Sequence, residues 1–383
     1  MGIAPDAHSA VANLASVGMT TSIDTLIIGA GQAGLTMGYH LRRAGREFLV
    51  LDADARVGDS WRQRYDSLRL FTTPKYASLP GWRIPVADYP TRDEMADYLA
   101  AYAARFALPV RNGARVDSVI AEGGLLRVST AGGDYLARNV VVATGAHRRP
   151  SVPAFADDLD PGIRQLTSLE YRNPAQFAPG PVLVVGAANS GTDIALDAAT
   201  AGHDTYLAGR HPGQIPIDID SPRGRRATPL VMFVFRHVLT LRTPMGRKAA
   251  ARHREHGVNL VRNKLADLDR AGISRIGRIE HVRDGQPIPA RGDLPPVNTV
   301  VWCTGSRGDY RFLELPVFDE DGRPRLRRGV STVPGLYFLG TPFQFALASE
   351  QIQGLDRDAR YLLRQLPKPA PLPVAAADVA LTP

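Results

Sequence analysis

The sequence predicts an α/β protein of two domains, one inserted within the other, and three observations carry that prediction. The stretch "TLIIGAGQAGLTM" at residues 25 to 37 is written again, with one change, within "PVLVVGAANSGTDI" at 181 to 194. Each copy is followed by a second short apolar run, "EFLVLDAD" and "DTYLAG". Two further runs, "NVVVATG" at 139 to 145 and "TVVWCTG" at 299 to 305, frame the second copy.

From Ile23 to Ile28 the chain is short, apolar and β-branched, which reads as a buried strand. Glycines then stand at 29, 31 and 34, and Leu35, Met37, Tyr39 and Leu41 open a helix. With the strand that follows, this is a βαβ unit of about 30 residues, and each glycine in it has a physical task. Gly29 makes the tight turn and Gly31 lets the backbone approach a pyrophosphate. Gly34, after Gln32 and Ala33, lets the helix pack close to the strand. Asp52, which lies 23 positions after Gly29 and is followed by Ala53, can accept hydrogen bonds from a ribose. Together these parts read as a dinucleotide site.

The second unit repeats the layout, with a strand at Val182 to Val185, a turn from Gly186 to Gly191 that contains Asn189 and Ser190, and a helix through Ile194 and Leu196. Its second strand ends in Arg210, 24 positions after Gly186. The residue closing the unit has therefore changed sign. An acid suits a free ribose hydroxyl and an arginine suits a 2′-phosphate, so the first unit suggests FAD and the second NADPH. Ala188 takes the place of the middle glycine, where its Cβ stands in the path of a pyrophosphate.

The runs ending in Ala143, Thr144 and Gly145 and in "CTG" at 303 to 305 are strands closed by small-residue turns, where the chain would cross between domains. The order motif, stop, motif, stop gives two Rossmann-like dinucleotide-binding domains with the NADPH domain inserted in the FAD domain. The expected bounds are 23–150 and 300–366 for the FAD domain and 165–299 for the NADPH domain. Residues 1–22 and 367–383 read as flexible tails, the second because it is rich in proline and alanine.

Composition agrees. The chain has 383 residues, 44% of them apolar and 22% charged, too long for one comfortable domain. The net charge of +8 has no block of like charge behind it, so a nucleic-acid surface is not expected. The single cysteine, Cys303, excludes an intramolecular disulfide and a C-x-x-C pair. The longest apolar candidate, "PLVMFVFRHVLTL", is broken by Arg236 and His237, and it reads as a buried helix, a substrate funnel or a membrane-surface contact. Without a basic leader and apolar run at the start, a cytoplasmic protein is expected.

Beyond these motifs, long blocks of the chain resemble the flavin-containing monooxygenases, above all the CzcO-like bacterial group. They include "GDSWRQRYDSLRLFTTPKYASLPG", "TPMGRK", "TVVWCTGSRGDYRFLELPVFDEDGRPR" and "VPGLYFLGTPFQFALASEQIQGLDRDARYL", and the resemblance spans nearly all of residues 24 to 365. It implies that Trp61 and the segment Leu70 to Thr73 lie along the flavin, that the backbone of Val116 meets the adenine, and that the region of Gly340 and Gln344 borders the isoalloxazine. Thr72 or its neighbouring amides would then hydrogen-bond near flavin N5 or C4a, Asn189 and Ser190 would hold NADP, and Gln351 with Glu350 would orient substrate. Capping of the last helix is the other reading of Glu350.

The activity implied by the resemblance is that of an FAD-dependent monooxygenase. NADPH reduces the flavin, dioxygen adds at C4a, and one oxygen atom passes to a nitrogen, a sulfur or a carbonyl carbon of a small substrate. The family's linker fingerprint falls on Pro161, Ile163, Thr167 and Tyr171, where only the aromatic survives and Thr167 replaces a histidine. An NADPH-dependent flavin oxidase or dehydrogenase, or a non-enzymatic flavoprotein, therefore stays open as an alternative. The expected partners are the substrate and dioxygen, with no nucleic acid and no integral membrane association, and a homodimer is the assembly allowed. No metal is expected, because His253 and His256 lack a further ligand at a usual spacing. Asp309 reads as a local partner of Arg307.

Overall fold

The computed structural model describes residues 20–214, 221–256 and 259–371, the side chains of 254–256 excepted. Strand Thr21–Ile28 is central to the first sheet because it is apolar on both faces, and Leu26 and Ile27 are fully buried. It pairs in parallel with Phe48–Leu51 on one side and Gly133–Val142 on the other. The sheet continues beyond these to Val110–Arg111 at one edge and Leu336–Phe338 towards the other. Strands Val116–Glu122 and Leu125–Thr130 extend Gly133–Val142 as an antiparallel meander.

Between Val142 and the return to this sheet, the chain builds a second one. Its order is Ser274–Ile276, Thr205–Ala208, Val182–Val185, Thr299–Trp302 and Arg164–Thr167, all parallel. The nucleotide domain carrying the second motif is thus inserted in the first. Strand Thr299–Trp302 lies beside Val182–Val185 in the second sheet, so the chain crosses back after Trp302. At the two crossings Arg149–Pro150 and Ser306–Arg307 pair antiparallel, and the outgoing and returning chains are hydrogen-bonded to each other. Two stretches that the sequence assigns to tails are held in the fold. Thr21 and Ser22 pair with Tyr135 and Leu136, and the carbonyls of Pro367, Ala370 and Pro371 accept hydrogen bonds from Arg46 and Arg138.

Helices Gln32–Arg43 and Ile352–Gln365 pack together on the first sheet, tied by His40 Nε2 to Asp356 Oδ1 at 2.9 Å. A helical excursion, Pro222–Phe233 and Pro244–His256, leaves the second domain and docks on the last segment of the first. The contact is backbone to backbone, with Leu241 N to Phe345 O at 2.9 Å and Leu347 N to Leu239 O at 3.0 Å. Here the buried-helix reading of "VMFVFRHVLTL" fails. Helix Pro222–Phe233 buries one narrow stripe, Gly224, Thr228 and Met232, and leaves Leu230 67% and Phe233 55% exposed. Among the described residues no helix is long and apolar enough to cross a membrane.

One charge lies inside the first sheet. Asp24, only 6% exposed on the central strand, meets Arg46 Nη2 at 2.6 Å and Nε at 3.1 Å, with Arg138 Nε 3.5 Å away. Removing the arginine strands a buried carboxylate. Arg46→Met is expected to cost roughly 3–5 kcal/mol in urea unfolding; a loss under about 1 kcal/mol would show that Arg138 alone suffices.

Candidate functional site

The two glycine turns have the same geometry. Gly29 and Gly186 sit at φ +107° and +115°, and their amides donate to the neighbouring strand at Leu51 O (2.7 Å) and Ala208 O (2.8 Å). A Cβ on Gly29 would lie 2.6 Å from the carbonyl oxygen of Ala143, and one on Gly186 would lie 2.2 Å from that of Cys303. The runs "NVVVATG" and "TVVWCTG" thus echo each other because each is the strand against which a nucleotide turn closes. Gly34 and Gly191 face the same constraint from the helix side, since a Cβ there would meet Gly29 O at 1.8 Å and Gly186 O at 1.7 Å.

The middle position is different. A Cβ on Gly31 would meet nothing within 4 Å. Its backbone is extended (φ −74°, ψ −173°), as is that of Ala188 (φ −87°, ψ −171°), so neither needs glycine for conformation. Each is the N-cap of a twelve-residue helix, Gln32–Arg43 or Asn189–Thr200, with no side-chain cap and no acid in the first turn. Open space in front of uncapped helix amides is a seat for a phosphate. At the first turn Thr144 Oγ1 is also buried without a hydrogen-bond partner among the described residues. These features fit a bound dinucleotide.

Other sequence-marked residues gather round the first turn. Asp52 is buried and accepts from the amides of Ala30 and Asp54, so it braces the turn. Burial raises its pKa, and the two amides act against that rise. Ala53 is exposed. Ala114 N donates to Asp52 O at 2.8 Å, which brings Val116 to the same sheet end. Trp61 Nε1 donates to Gln32 Oε1 at 3.1 Å, and Leu70 and Thr72 are buried beyond it. A Cβ on Gly340 would lie 3.3 Å from Ala33 Cβ, and the Gly340 amide donates to Gln344 Oε1 at 3.1 Å.

Round the second turn the side chain of Asn189 is occupied. It accepts from Val261 N at 3.1 Å and donates to Asn259 O at 3.3 Å, which holds the following loop. Arg210 follows Gly209 at the end of its strand, exposed and without a hydrogen bond or ion pair among the described residues. Gln351 accepts from Gln353 Nε2 at 2.8 Å. Thr167 spends its amide and hydroxyl on Glu170, at 2.9 and 2.8 Å.

Sequence reasoning missed what joins the two turns. From Trp61 the chain runs to Tyr65, whose hydroxyl donates to Asp193 Oδ2 at 2.7 Å on the second motif's helix. Ser190 lies beside the same hydroxyl, and Asn263 holds the other Asp193 oxygen at 2.5 Å. Ser67 adds a 2.6 Å bond to Asp197. Between these contacts Arg64 points at no carboxylate among the described residues. Burial lowers its pKa, and Arg148 and Arg172 nearby lower it further. This cluster of positive charge suits anionic groups. Cys303 is buried under the second turn, where desolvation pushes its thiol well up, so it is a packing residue and no nucleophile.

Two local readings are corrected. Asp309 pairs with Arg311 at 2.6 Å, not Arg307, because only Arg311 comes back to it across the turn. Glu350 does not cap the last helix; Gln351 is its N-cap, and Glu350 instead meets His253 Nε2 at 3.3 Å. That contact also gives His253 a partner other than a metal, while the side chain of His256 lies outside the described residues.

Comparison with known proteins places this geometry. Residues 26–221 match the family model described as pyridine nucleotide-disulphide oxidoreductase. An uncharacterized CzcO-like oxidoreductase of Geobacillus kaustophilus is 36% identical over 90% of this chain and 98% of its own. The chain belongs to the pyridine nucleotide-disulphide oxidoreductase family. Members of this family bind FAD and NAD(P), and the protein is a flavin-dependent oxidoreductase. Among solved structures, the flavin-containing monooxygenase of Stenotrophomonas maltophilia superposes with TM-score 0.75 at 28% identity, covering 91% of this chain and 98% of that one. OTEMO in complex with FAD and NADP superposes with TM-score 0.63 over 91% of this chain and 86% of its own; at 16% identity that likeness is one of fold.

The two kinds of motif glycine separate by experiment. Gly34→Ala must push a strand and a helix apart and is expected to destabilise the protein by roughly 3 kcal/mol. Gly31→Ala should leave the unfolding midpoint of FAD-free protein within about 0.5 kcal/mol while weakening FAD retention. Equal loss of stability in both variants would remove the distinction.

Proposed function

We propose that this oxidoreductase is an FAD-dependent, NADPH-consuming monooxygenase that oxygenates a small organic substrate at nitrogen, sulfur or a carbonyl carbon. The observation that carries the reading is the pair of glycine turns that each open an uncapped helix, tied to each other through Tyr65 and Asp193, in a chain whose single thiol is buried. Electrons taken from a nicotinamide have no dithiol within the chain to pass to, which rules out a protein dithiol relay and favours an external acceptor such as dioxygen. The 28% identity with a flavin-containing monooxygenase over 91% of the chain supports the same choice. When bound, FAD would supply the hydride acceptor and the site of oxygen chemistry.

The protein's part is binding, orientation and exclusion of water. The first turn, through Gly31 and the amides at the start of helix Gln32–Arg43, would seat the FAD pyrophosphate, with Asp52 on the ribose. The second, through Ala188 and the amides of Ser190 and Gly191, would seat NADPH, with Arg210 on its 2′-phosphate. The Tyr65–Asp193–Asn263 bonds fix the spacing between the two, and the excursion Pro222–His256 covers the last segment beside Gly340. Leu70 and Thr72 line the flavin side, and buried Thr72 would offer its hydroxyl there.

Reaction in ¹⁸O₂ tests the reading. Label in the product, with peroxide well below the NADPH consumed, is the expected result; one peroxide per NADPH for every candidate substrate would make the protein an oxidase. For the second turn, Arg210→Ala is expected to raise the KM for NADPH roughly tenfold and to leave that for NADH unchanged. Ala188→Gly should lower the NADPH KM about fivefold, a gain on the order of 1 kcal/mol, without altering FAD content.

A further inference from the structure

Glu350 and His253 come from parts of the chain that meet only in the folded protein. Glu350 ends the short turn Leu347–Glu350, next to the N-cap of the last helix, and His253 lies on helix Pro244–His256 of the excursion. Their side chains are 10% and 17% exposed, with Nε2 to Oε1 at 3.3 Å. The segment around Glu350 is the one that borders Gly340. Gln344 clamps the Gly340 amide, and Leu355 lies against Gly340 and thereby near Ala33 of the first turn. Neither side chain has a task in the binding scheme above.

We infer that Glu350 and His253 form a proton-holding pair that delivers to the cleft the proton consumed in each turnover. The inference rests on the proposed cofactors, whose stoichiometry consumes one proton per turnover. NADPH + H⁺ + O₂ + S gives NADP⁺ + H₂O + SO, where the hydride and an electron pair of the substrate reduce one dioxygen. The oxidase alternative, NADPH + H⁺ + O₂ giving NADP⁺ + H₂O₂, also consumes one proton. The nearby Arg64 and Arg148 are fixed cations that cannot release protons near neutral pH, so a titratable carboxyl close to them is the group suited to that task.

The pair has the properties of such a donor. Burial raises Glu350 to about 7 and holds His253 below the usual imidazole value. Two neighbours that each resist charge and lie in contact share one proton, as COOH beside neutral imidazole or as carboxylate beside imidazolium. The surrounding charged groups come from three other elements. His147, held at 2.9 Å by Ser306, lies within electrostatic reach of both His253 and Arg64. On the far side Arg357 donates to Ser349 Oγ at 3.2 Å and is neutralised by Asp358. Phe343 packs on the His253 ring, with centroids 5.4 Å apart. Glu350 is thus a carboxyl poised to change protonation near neutrality, beside a neutral His147 and an Arg357–Asp358 pair that stays charged.

The sign follows from the raised value. Glu350 carries its proton below about pH 7 and loses it above, so proton delivery fades as pH rises through about 7. In the FAD-loaded enzyme, NADPH turnover should show a falling alkaline limb centred near pH 7. In Glu350→Gln the limb should vanish and the rate at pH 6 should drop roughly 100-fold, with FAD content retained. A second readout needs no turnover. In ¹⁵N-histidine spectra of the holoenzyme, the His253 signals should move with a midpoint that shifts by more than half a unit in Glu350→Gln. Should Glu350→Gln fail to fold, His253→Gln, which keeps the carboxyl and removes the partner that shares its proton, should shift the limb by more than half a unit. An unchanged limb in a folded variant, or a His253 titration indifferent to Glu350, overturns the inference. Because both oxygen reactions consume a proton, these results stand apart from the ¹⁸O₂ outcome.

Discussion

The whole arrangement depends on how closely two backbones approach at each nucleotide turn. Gly29 lies against the carbonyl of Ala143, and Gly186 against that of Cys303, with no room for a side chain between them. This contact requires the strand that carries the carbonyl to be the immediate parallel neighbour of the motif strand, as Gly133–Val142 and Thr299–Trp302 are. It fixes where the helix begins and leaves its first amides pointing into open space. The two supporting strands also continue directly into the crossings, where Arg149–Pro150 pairs with Ser306–Arg307. The same residues that close the turns therefore help to set how the two domains face each other.

Charge completes what packing begins. The first unit ends in a buried acid, Asp52, already braced by two amides. The second ends in an exposed arginine, and the cleft between them holds Arg64 and Arg148. Fixed cations together with two uncapped helix N-termini favour phosphorylated ligands, and they leave Glu350 as a carboxyl able to carry a proton at neutral pH.

The local units were legible because their physics is local. Strand, glycine turn, helix and terminal residue follow one another within about 30 residues, so both nucleotide turns and the order of the insertion could be read directly. Contacts between distant segments left no such trace. Nothing in "RYDS" shows that Tyr65 reaches Asp193, or that the Asn189 side chain spends both its polar groups on residues 259 and 261. Nothing in the sequence around His253 or Glu350 shows that the excursion brings the two together. Apolar content alone suggested that "VMFVFRHVLTL" was buried, whereas burial follows the stripe of Gly224, Thr228 and Met232.

The central claim is that each turn holds its own dinucleotide and that both face one cleft. The most direct measurement is a crystal structure of the FAD-loaded protein soaked in NADP⁺. The FAD pyrophosphate should lie at Gly31, the NADP⁺ pyrophosphate beside Ala188, and the 2′-phosphate within hydrogen-bond reach of Arg210. A nucleotide seated only at the first turn, or a 2′-phosphate turned away from Arg210, would contradict it.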